Sequence, residues 1–453
     1  MSVPAARAAK IAAVLPFVAL SACSGGSERA LRVTVDLRAP ADAVCVVARE
    51  EGPPARVVFA MPYDASALPM PATLTFVPGA GFSGAVDVSA HGVAAGAIVG
   101  GASIVTTLAG MGTTEVTLPI ERCRARQTAG FGTRPGGTFA ALLDPPRVLA
   151  TDYDGDGRDE LLAIAADGSL AVLDAENASD GSHRESELNA ADAHLVRAMD
   201  HDTDCRADVV AVGALGALVV ASEDGRSLPP VASGARDVAI GRVSTTAPLR
   251  FVVAGAGGLS LVPPPGATGA SLPLSTTAVD HVVAWDADGD GGSEIVATGG
   301  MGLLAFQSTL GGETEVTSTF LPTGFSLLTG PLAIGDVDDD GDVDLALVED
   351  DAVRLATRRG TSFRDDSGAT PVSLDGAGTR IVLADVTGDC ADDVITLSSA
   401  GTIAVHRVAA TGGLVPVEQR TGALDFAVGD FDGDGIREIA LLGTGGRVTL
   451  WQP

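Results

Sequence analysis

The nine residues Asp152-Tyr153-Asp154-Gly155-Asp156-Gly157-Arg158-Asp159-Glu160 follow one apolar run, Val148-Leu149-Ala150, and precede another, Leu161-Leu162-Ala163-Ile164. Carboxylates stand at the first, third, fifth and ninth places, and glycines at the fourth and sixth allow a tight turn. This spacing suits a hard cation: calcium takes about six to eight oxygens at about 2.3–2.6 Å, drawn from alternate side chains, a backbone carbonyl and a closing carboxylate. Without a bound ion, four carboxylates so close would repel one another strongly.

Related loops begin at Asp200, Asp286, Asp336, Asp385 and Asp430. The candidate metal ligands are therefore Asp152, Asp154, Asp156 and Glu160, then Asp200, Asp202, Asp204 and Asp208, then Asp286, Asp288, Asp290 and Glu294. The later loops add Asp336, Asp338, Asp340 and Asp344, then Asp385, Thr387, Asp389 and Asp393, then Asp430, Asp432, Asp434 and Glu438. Thr387 alone departs from a carboxylate at the third place, and Cys205 and Cys390 replace a loop glycine. Six repetitions in one phase are not incidental polar turns, and up to six structural Ca2+ ions are expected. The flanks are strand-like and the closing acid stands at the ninth place, whereas an EF-hand has helices on both sides and a glutamate at the twelfth.

The loop starts are 48, 86, 50, 49 and 45 residues apart, so the long gap holds two periods. Sixteen residues after a loop start stands a turn glycine: Gly168, Gly216, Gly302, Gly401 and Gly446. Inside the gap, Val238-Ala239-Ile240-Gly241-Arg242 matches the other pre-loop strands, with Arg242 in the first-Asp place and Gly258 sixteen residues on. The fifth unit carries Asp350-Asp351 before Ala352 instead. Seven units of about 45 residues result, the third without ligands. Each reads as strand, acidic loop, strand, turn, strand and a looser outer strand. Such units hide their apolar faces against one another and lose their free edges by closing into a ring. The last unit has three strands up to Trp451, and Thr138 to Leu142 is placed to supply the fourth.

Asp430-Phe431-Asp432-Gly433-Asp434-Gly435-Ile436-Arg437-Glu438, preceded by Ala427-Val428-Gly429 and followed by Ile439-Ala440, resembles the FG-GAP or VCBS-type repeat of integrin α-subunit propellers and bacterial surface proteins. The likeness covers residues 138–453, although the Phe-Gly and Gly-Ala-Pro parts of the motif are largely missing. It implies a seven-bladed β-propeller whose calcium loops serve stability on one face, with partners bound on the other face or the rim. Cys205 and Cys390 then fall in units two and six, three units apart around the shorter arc, and are expected as thiols.

Ahead of the repeats, strand-like runs at Leu31 to Leu37, Val44 to Ala48, Arg56 to Phe59, Thr73 to Val77, Ala85 to Ala90 and Glu115 to Ile120 predict a small β-sandwich over 30–123. The uncharged run Gly92 to Thr114 is interrupted by glycines and is β-branched, so it reads as strand rather than membrane span. Cys45 and Cys123 are the natural disulfide pair in an oxidising compartment, and 124–137 reads as a Gly-rich linker. Residues 1–22 read as a signal peptide: Arg7 and Lys10, an apolar stretch from Ile11 to Leu20, then Leu20-Ser21-Ala22-Cys23. That tetrapeptide resembles a bacterial lipobox, which implies lipidation at Cys23, and Ser24 after it points to the outer membrane, facing periplasm or cell surface.

Asp and Glu number 58 against 29 Lys and Arg, a formal charge of −29 with no basic patch, which argues against nucleic acid as a partner. The six histidines are scattered, and no nucleophile elbow, P-loop, dinucleotide fingerprint or zinc spacing is present. The chain as a whole is thus expected to be all-β, a sandwich followed by a seven-bladed calcium-loop propeller, and no enzyme. Its function is expected to be a monomeric ligand-binding or adhesion module for a protein or glycan. The alternatives are a scaffold subunit of an envelope assembly, or a propeller hydrolase or lyase built from several units. Only two Trp and two Tyr weaken the glycan option.

Overall fold

The computed structural model describes residues 29–37, 43–50, 56–64, 70–76, 85–94, 97–108, 112–120, 132–144, 146–153, 158–174, 183–186, 193–199, 207–213, 216–220, 234–242, 249–264, 269–286, 292–309, 312–322, 325, 329–360, 362–368, 372–409, 412–432 and 436–452. The signal segment, Cys23, Cys123 and Cys205 lie outside these, as do Asp154, Asp156, Asp200, Asp202, Asp204, Asp288, Asp290 and Asp434. The described chain is all-β apart from two short turns of helix, Thr317–Phe320 and Thr444–Gly446. No helix among the described residues is long and apolar enough to cross a membrane.

Toward the N-terminus two sheets share one core. One joins Ala72–Phe76, Arg29–Leu37 and Gly112–Ile120, the last two parallel; the other joins Arg56–Asp64, Ala43–Glu50, Ala85–Ala94 and Ala97–Thr107. Strand alternation sends Leu31, Val33 and Val35 inward from the first and Val44, Val46 and Ala48 inward from the second, where they pack with Val86, Val88, Leu118 and Ile120. Within the uncharged run Gly92 to Thr114 the described residues belong to the strands Ala85–Ala94, Ala97–Thr107 and Gly112–Ile120, apart from Leu108, as the β-branched residues favour.

From residue 132 onward the described residues form seven sheets, numbered I to VII here by the order of their first strands: Val148–Thr151, Ala193–Met199, Ala235–Arg242, His281–Trp285, Leu332–Gly335, Gly378–Ala384 and Asp425–Gly429. Within each, successive strands pair antiparallel in chain order. The hairpin after the second strand needs a left-handed residue, and Gly168, Gly258, Gly302, Gly401 and Gly446 all have positive φ there, with Asp350 taking that role in sheet V. A Cβ at Gly258 would also lie 2.0 Å from the Ser275 carbonyl oxygen, so space and backbone both demand glycine.

Apart from the acid that opens six of them, the second strands are mainly apolar because both their faces are covered. In Glu160–Ile164, Leu161 and Ala163 pack toward sheet VII, and Leu162 and Ile164 toward sheet II. The same holds at each junction: separate apolar cores lie between II and III, III and IV, IV and V, V and VI, and VI and VII. The core between VII and I, with Phe431, Ala440 and Leu450 against Val148, Leu161 and Leu173, returns the circuit to its start. This is a β-propeller-like all-β arrangement.

Sheet VII is completed by a strand from the far end of the repeats. The outer strand of sheet VII is Gly132–Thr138, which pairs antiparallel with Arg447–Gln452 and sets Trp451 opposite Thr133. The strand lies earlier than the expected Thr138 to Leu142 and takes up the end of the supposed linker 124–137. Gly136 in it is a packing feature: a Cβ there would come within 2.8 Å of Val448 Cγ1 and 3.0 Å of Leu450 Cγ.

Two buried carboxylates staple the first strands. Asp425 accepts from Arg380 Nη1 of sheet VI at 2.7 Å and from the Val148 N–H of sheet I at 2.9 Å. Asp237 does the same between sheets II and IV, accepting from Arg197 Nε at 3.2 Å and the Val282 N–H at 3.1 Å. Each holds three consecutive sheets together at one point.

Candidate metal centre

The loop of sheet V is described in full. Asp336 is buried; its Oδ2 accepts from the Gly341 N–H at 2.7 Å and its Oδ1 from the Asp340 N–H at 3.3 Å. Positive φ at Asp339 (58°) and Gly341 (92°) curls the chain so that these N–H groups point back at the first carboxylate. Asp336, Asp338 and Asp340 each present an oxygen, and the three lie within 4.8 Å of one another. Asp338 Oδ1 is buried with no hydrogen-bond partner, an orphan acceptor aimed where a cation would supply the missing contact.

Asp344 closes the loop differently. It is fully buried, its Oδ2 accepts from the Val337 N–H at 3.0 Å, and its Oδ1 accepts from the Arg358 N–H on the third strand at 2.7 Å. The ninth acid is thus also a staple of the hairpin. The same bond to the second-place N–H recurs from Tyr153 to Glu160 (2.8 Å), Val386 to Asp393 (2.9 Å) and Phe431 to Glu438 (3.0 Å). Sequence reading assigned the ninth acid to the metal alone and missed this second task.

In sheet VII, Asp430, Asp432 and Glu438 bring one oxygen each within 4.8 Å of one another. The sheet VI loop is built alike but is less gathered: Asp385 accepts from the Gly388 and Cys390 N–H groups at 2.7 and 2.9 Å, and Thr387 Oγ1 lies 3.3 Å from Asp393 Oδ1. Asp385, Asp389 and Asp393 do not form so close a cluster among the described residues. Asp152 with Glu160, Asp208, and Asp286 with Glu294 occupy matching positions at strand ends in sheets I, II and IV, but their other predicted ligands fall outside the described residues.

Burial and mutual repulsion raise the pKa of Asp344, Glu438, Asp393 and Asp385 in the absence of a cation. Burial pushes Asp344 up to about 8, opposed by its two backbone N–H contacts and reinforced by Asp338 and Asp336. Burial likewise takes Glu438 to about 8, with Asp432 and Asp430 adding to it, and Asp393 to about 7, with Asp385 and Asp389 adding to it. Asp385 is also raised, chiefly by burial. A divalent ion among such groups would reverse the balance, and the hard oxygen donors fit calcium.

A further set of side chains, not foreseen from sequence, reaches these loops from the end of the third strand. Arg359 donates to Asp338 Oδ2 and Asp340 Oδ2 at 2.8 Å each, Arg407 to Asp389 Oδ2 at 3.1 Å, and Gln452 to Asp432 Oδ2 and Glu438 Oε1 at 3.4 Å. Also unforeseen is the eighth loop place. Asp392 and Asp336 are joined twice, by the Asp336 N–H to Asp392 Oδ2 and by the Asp392 N–H to the Asp336 carbonyl, both at 2.8 Å. Ser293 clasps Arg242, and Asp159 clasps Asp430, in the same manner.

Cys390 is disulfide-bonded, so the expected thiol is corrected; so is Cys45, and both partners lie outside the described residues. Cys390 stands at φ 80°, the left-handed place that Gly341 fills in sheet V.

No family model matches the chain, and no curated protein does. Solved structures give distant likenesses. A crystal structure of BBS1N in complex with ARL6DN is 14% identical, with 73% of this chain and 96% of that chain covered and a TM-score of 0.48. An Agrocybe aegerita lectin that recognises non-reducing terminal N-acetylglucosamine is 16% identical, with 68% and 85% covered and a TM-score of 0.45. PorZ, a surface component of the type-IX secretion system of Porphyromonas gingivalis, is 13% identical, with 71% and 39% covered and a TM-score of 0.40. None of these likenesses transfers a ligand or partner to this chain.

Proposed function

We propose that this chain is a calcium-stabilised, extracytoplasmic lipoprotein: a small β-sandwich followed by a seven-bladed propeller of the FG-GAP or VCBS type that serves as a ligand-binding or adhesion module at the cell envelope. The observation that carries the calcium reading is the sheet V loop, where three carboxylates converge within 4.8 Å and a buried Asp338 oxygen has no hydrogen-bond partner. Asp336, Asp338 and Asp340 would hold the ion there, and Asp430, Asp432 and Glu438 would do so in sheet VII. Calcium would supply charge neutralisation that locks each first hairpin. The chain's own residues supply the rest: backbone N–H groups orient the first and ninth acids, and the apolar second-place residues Val337 and Phe431 anchor the loop in the cores.

The charge of −29 supports a surface that avoids phosphate backbones and anionic lipid headgroups, so a protein or neutral glycan is the partner class that fits. Metal analysis after dialysis against calcium tests the reading. Several ions per chain are expected, with Asp336→Asn removing one; a chain that retains no stoichiometric calcium refutes it.

A further inference from the structure

The sheet V loop differs from its neighbours in what faces its acids from outside. Arg359 sits at the end of the third strand, 43% exposed, and forks across the two carboxylates at the third and fifth loop places. Both bonds go to Oδ2 atoms, which leaves Asp338 Oδ1 turned inward and unpartnered. Its neighbour Arg358 directs its charge elsewhere, toward Asp342 at 3.3 Å and the Gly360 carbonyl. In sheet VI the equivalent cation, Arg407, reaches only the fifth-place Asp389, because Thr387 offers no charge at the third place. In sheet VII the corresponding third-strand donor is Gln452, which is neutral, and the cation beside that loop, Arg134 of the outer strand, stands 3.8 Å from Asp432 Oδ2, beyond hydrogen-bond reach.

We propose that Arg359 is a built-in attenuator of the sheet V metal loop, a specificity-determining residue whose fixed positive charge lowers that loop's affinity for a divalent cation while its fork holds Asp338 and Asp340 in ligating orientation. The inference rests on the calcium reading of the loop. A guanidinium bonded to two ligand carboxylates lies within a few ångströms of any ion they share, so its repulsion acts at short range. The hydrogen bonds and the charge pull in opposite directions, and at this distance from a doubly charged ion the charge is the larger effect. The donors also rank the loops. Of these three, sheet VII, with acids at all four places, a neutral third-strand donor and Arg134 no nearer than 3.8 Å, binds most tightly; sheet V, with four acids and Arg359 at 2.8 Å, is intermediate; sheet VI, with three acids and Arg407 at 3.1 Å, is weakest.

Calcium competition against a chromophoric chelator, on the full chain with wild-type sequence and with Arg359→Gln, Arg359→Lys or Asp338→Asn/Asp340→Asn, tests this. The double variant identifies the class of site that belongs to sheet V. Arg359→Gln keeps donors but loses charge, and should tighten that class about tenfold at low ionic strength, with the gain shrinking as salt is added. Arg359→Lys keeps the charge and should stay close to wild type. An unchanged or weakened affinity in Arg359→Gln overturns the attenuator, with its melting temperature in saturating calcium reporting that the variant is folded. A wild-type chain that shows no class sensitive to the double variant overturns the calcium reading itself, a distinguishable result.

Discussion

Asp159 and Asp430 exchange two hydrogen bonds across 271 residues of chain: the Asp430 N–H donates to Asp159 Oδ2 at 2.8 Å, and the Asp159 N–H donates to the Asp430 carbonyl at 2.9 Å. The pair joins the first-place residue of sheet VII to the eighth-place residue of sheet I, and its counterparts join V to VI and III to IV. In all three the residue before the first place is glycine: Gly429, Gly335 and Gly241. A Cβ on Gly429 would meet Asp159 Oδ2 at 2.7 Å, and one on Gly335 would meet Asp392 Oδ2 at 2.5 Å. The other four units carry Thr151, Met199, Trp285 and Ala384 there, and the eighth places of the units that follow them hold Ala207, Leu249, Val343 and Arg437. Glycine and a short acceptor therefore form a matched pair across an interface.

Gly429→Ala should therefore destabilise the protein by about 1–3 kcal/mol through overpacking against Asp159 and Ala150. Asp159→Ala should cost a similar amount, about 1–3 kcal/mol, by leaving the Asp430 N–H without its acceptor. Urea unfolding of the two singles and the double checks the coupling. Additive losses would mean that the two residues do not act as one contact.

Asp425→Ala strands Arg380 and the Val148 N–H. Because the carboxylate is fully buried, removing it should cost about 3–5 kcal/mol. Asp425→Asn keeps an acceptor for Val148 and should lose less. Chemical denaturation ranks the two, and an equal loss would assign the cost to charge alone.

His406 supplies one pH-dependent contribution, opposite in sign to that of the raised loop acids in the ion-free protein. It is 4% exposed, its Nδ1 has no hydrogen-bond partner, and burial holds its pKa below the ordinary 6.5, only partly offset by a backbone contact with Val394. With the folded pKa below the unfolded one, the neutral ring's contribution is complete above pH 6.5 and is lost as pH falls through the lowered folded value. Stability between pH 7 and pH 5 should therefore fall less steeply in His406→Gln than in wild type. Parallel urea midpoints over that range would contradict it.

Cys390 should resist alkylation in the unreduced protein and become reactive only after reduction. Peptide mapping with and without reductant reads this directly. Ready labelling of native protein at Cys390 would restore the thiol expectation.

The gathering of Asp336 with Asp338 and Asp340, and of Asp430 with Asp432 and Glu438, was legible because the loop spacing recurs, and so was the strand–loop–strand unit with its turn glycine, since both depend on local backbone chemistry. The eighth place was not legible. Asp159, Ser293 and Asp392 look like further polar loop residues until a partner one sheet away, or at the other end of the repeats, comes into view. Gly132, Gly136 and Gly137 read as linker because glycine signals freedom in sequence, whereas Gly136 serves close approach to Val448 and Leu450. Asp237 and Asp425 gave no signal either, for a buried staple is defined by the three strands it joins.

Thermal unfolding with and without EDTA is the most direct test of the account. Chelation should lower the melting temperature by several degrees, and added calcium, but not magnesium, should restore it. A melting temperature that does not move on chelation, in protein shown to be free of metal, would contradict calcium as the keeper of these hairpins.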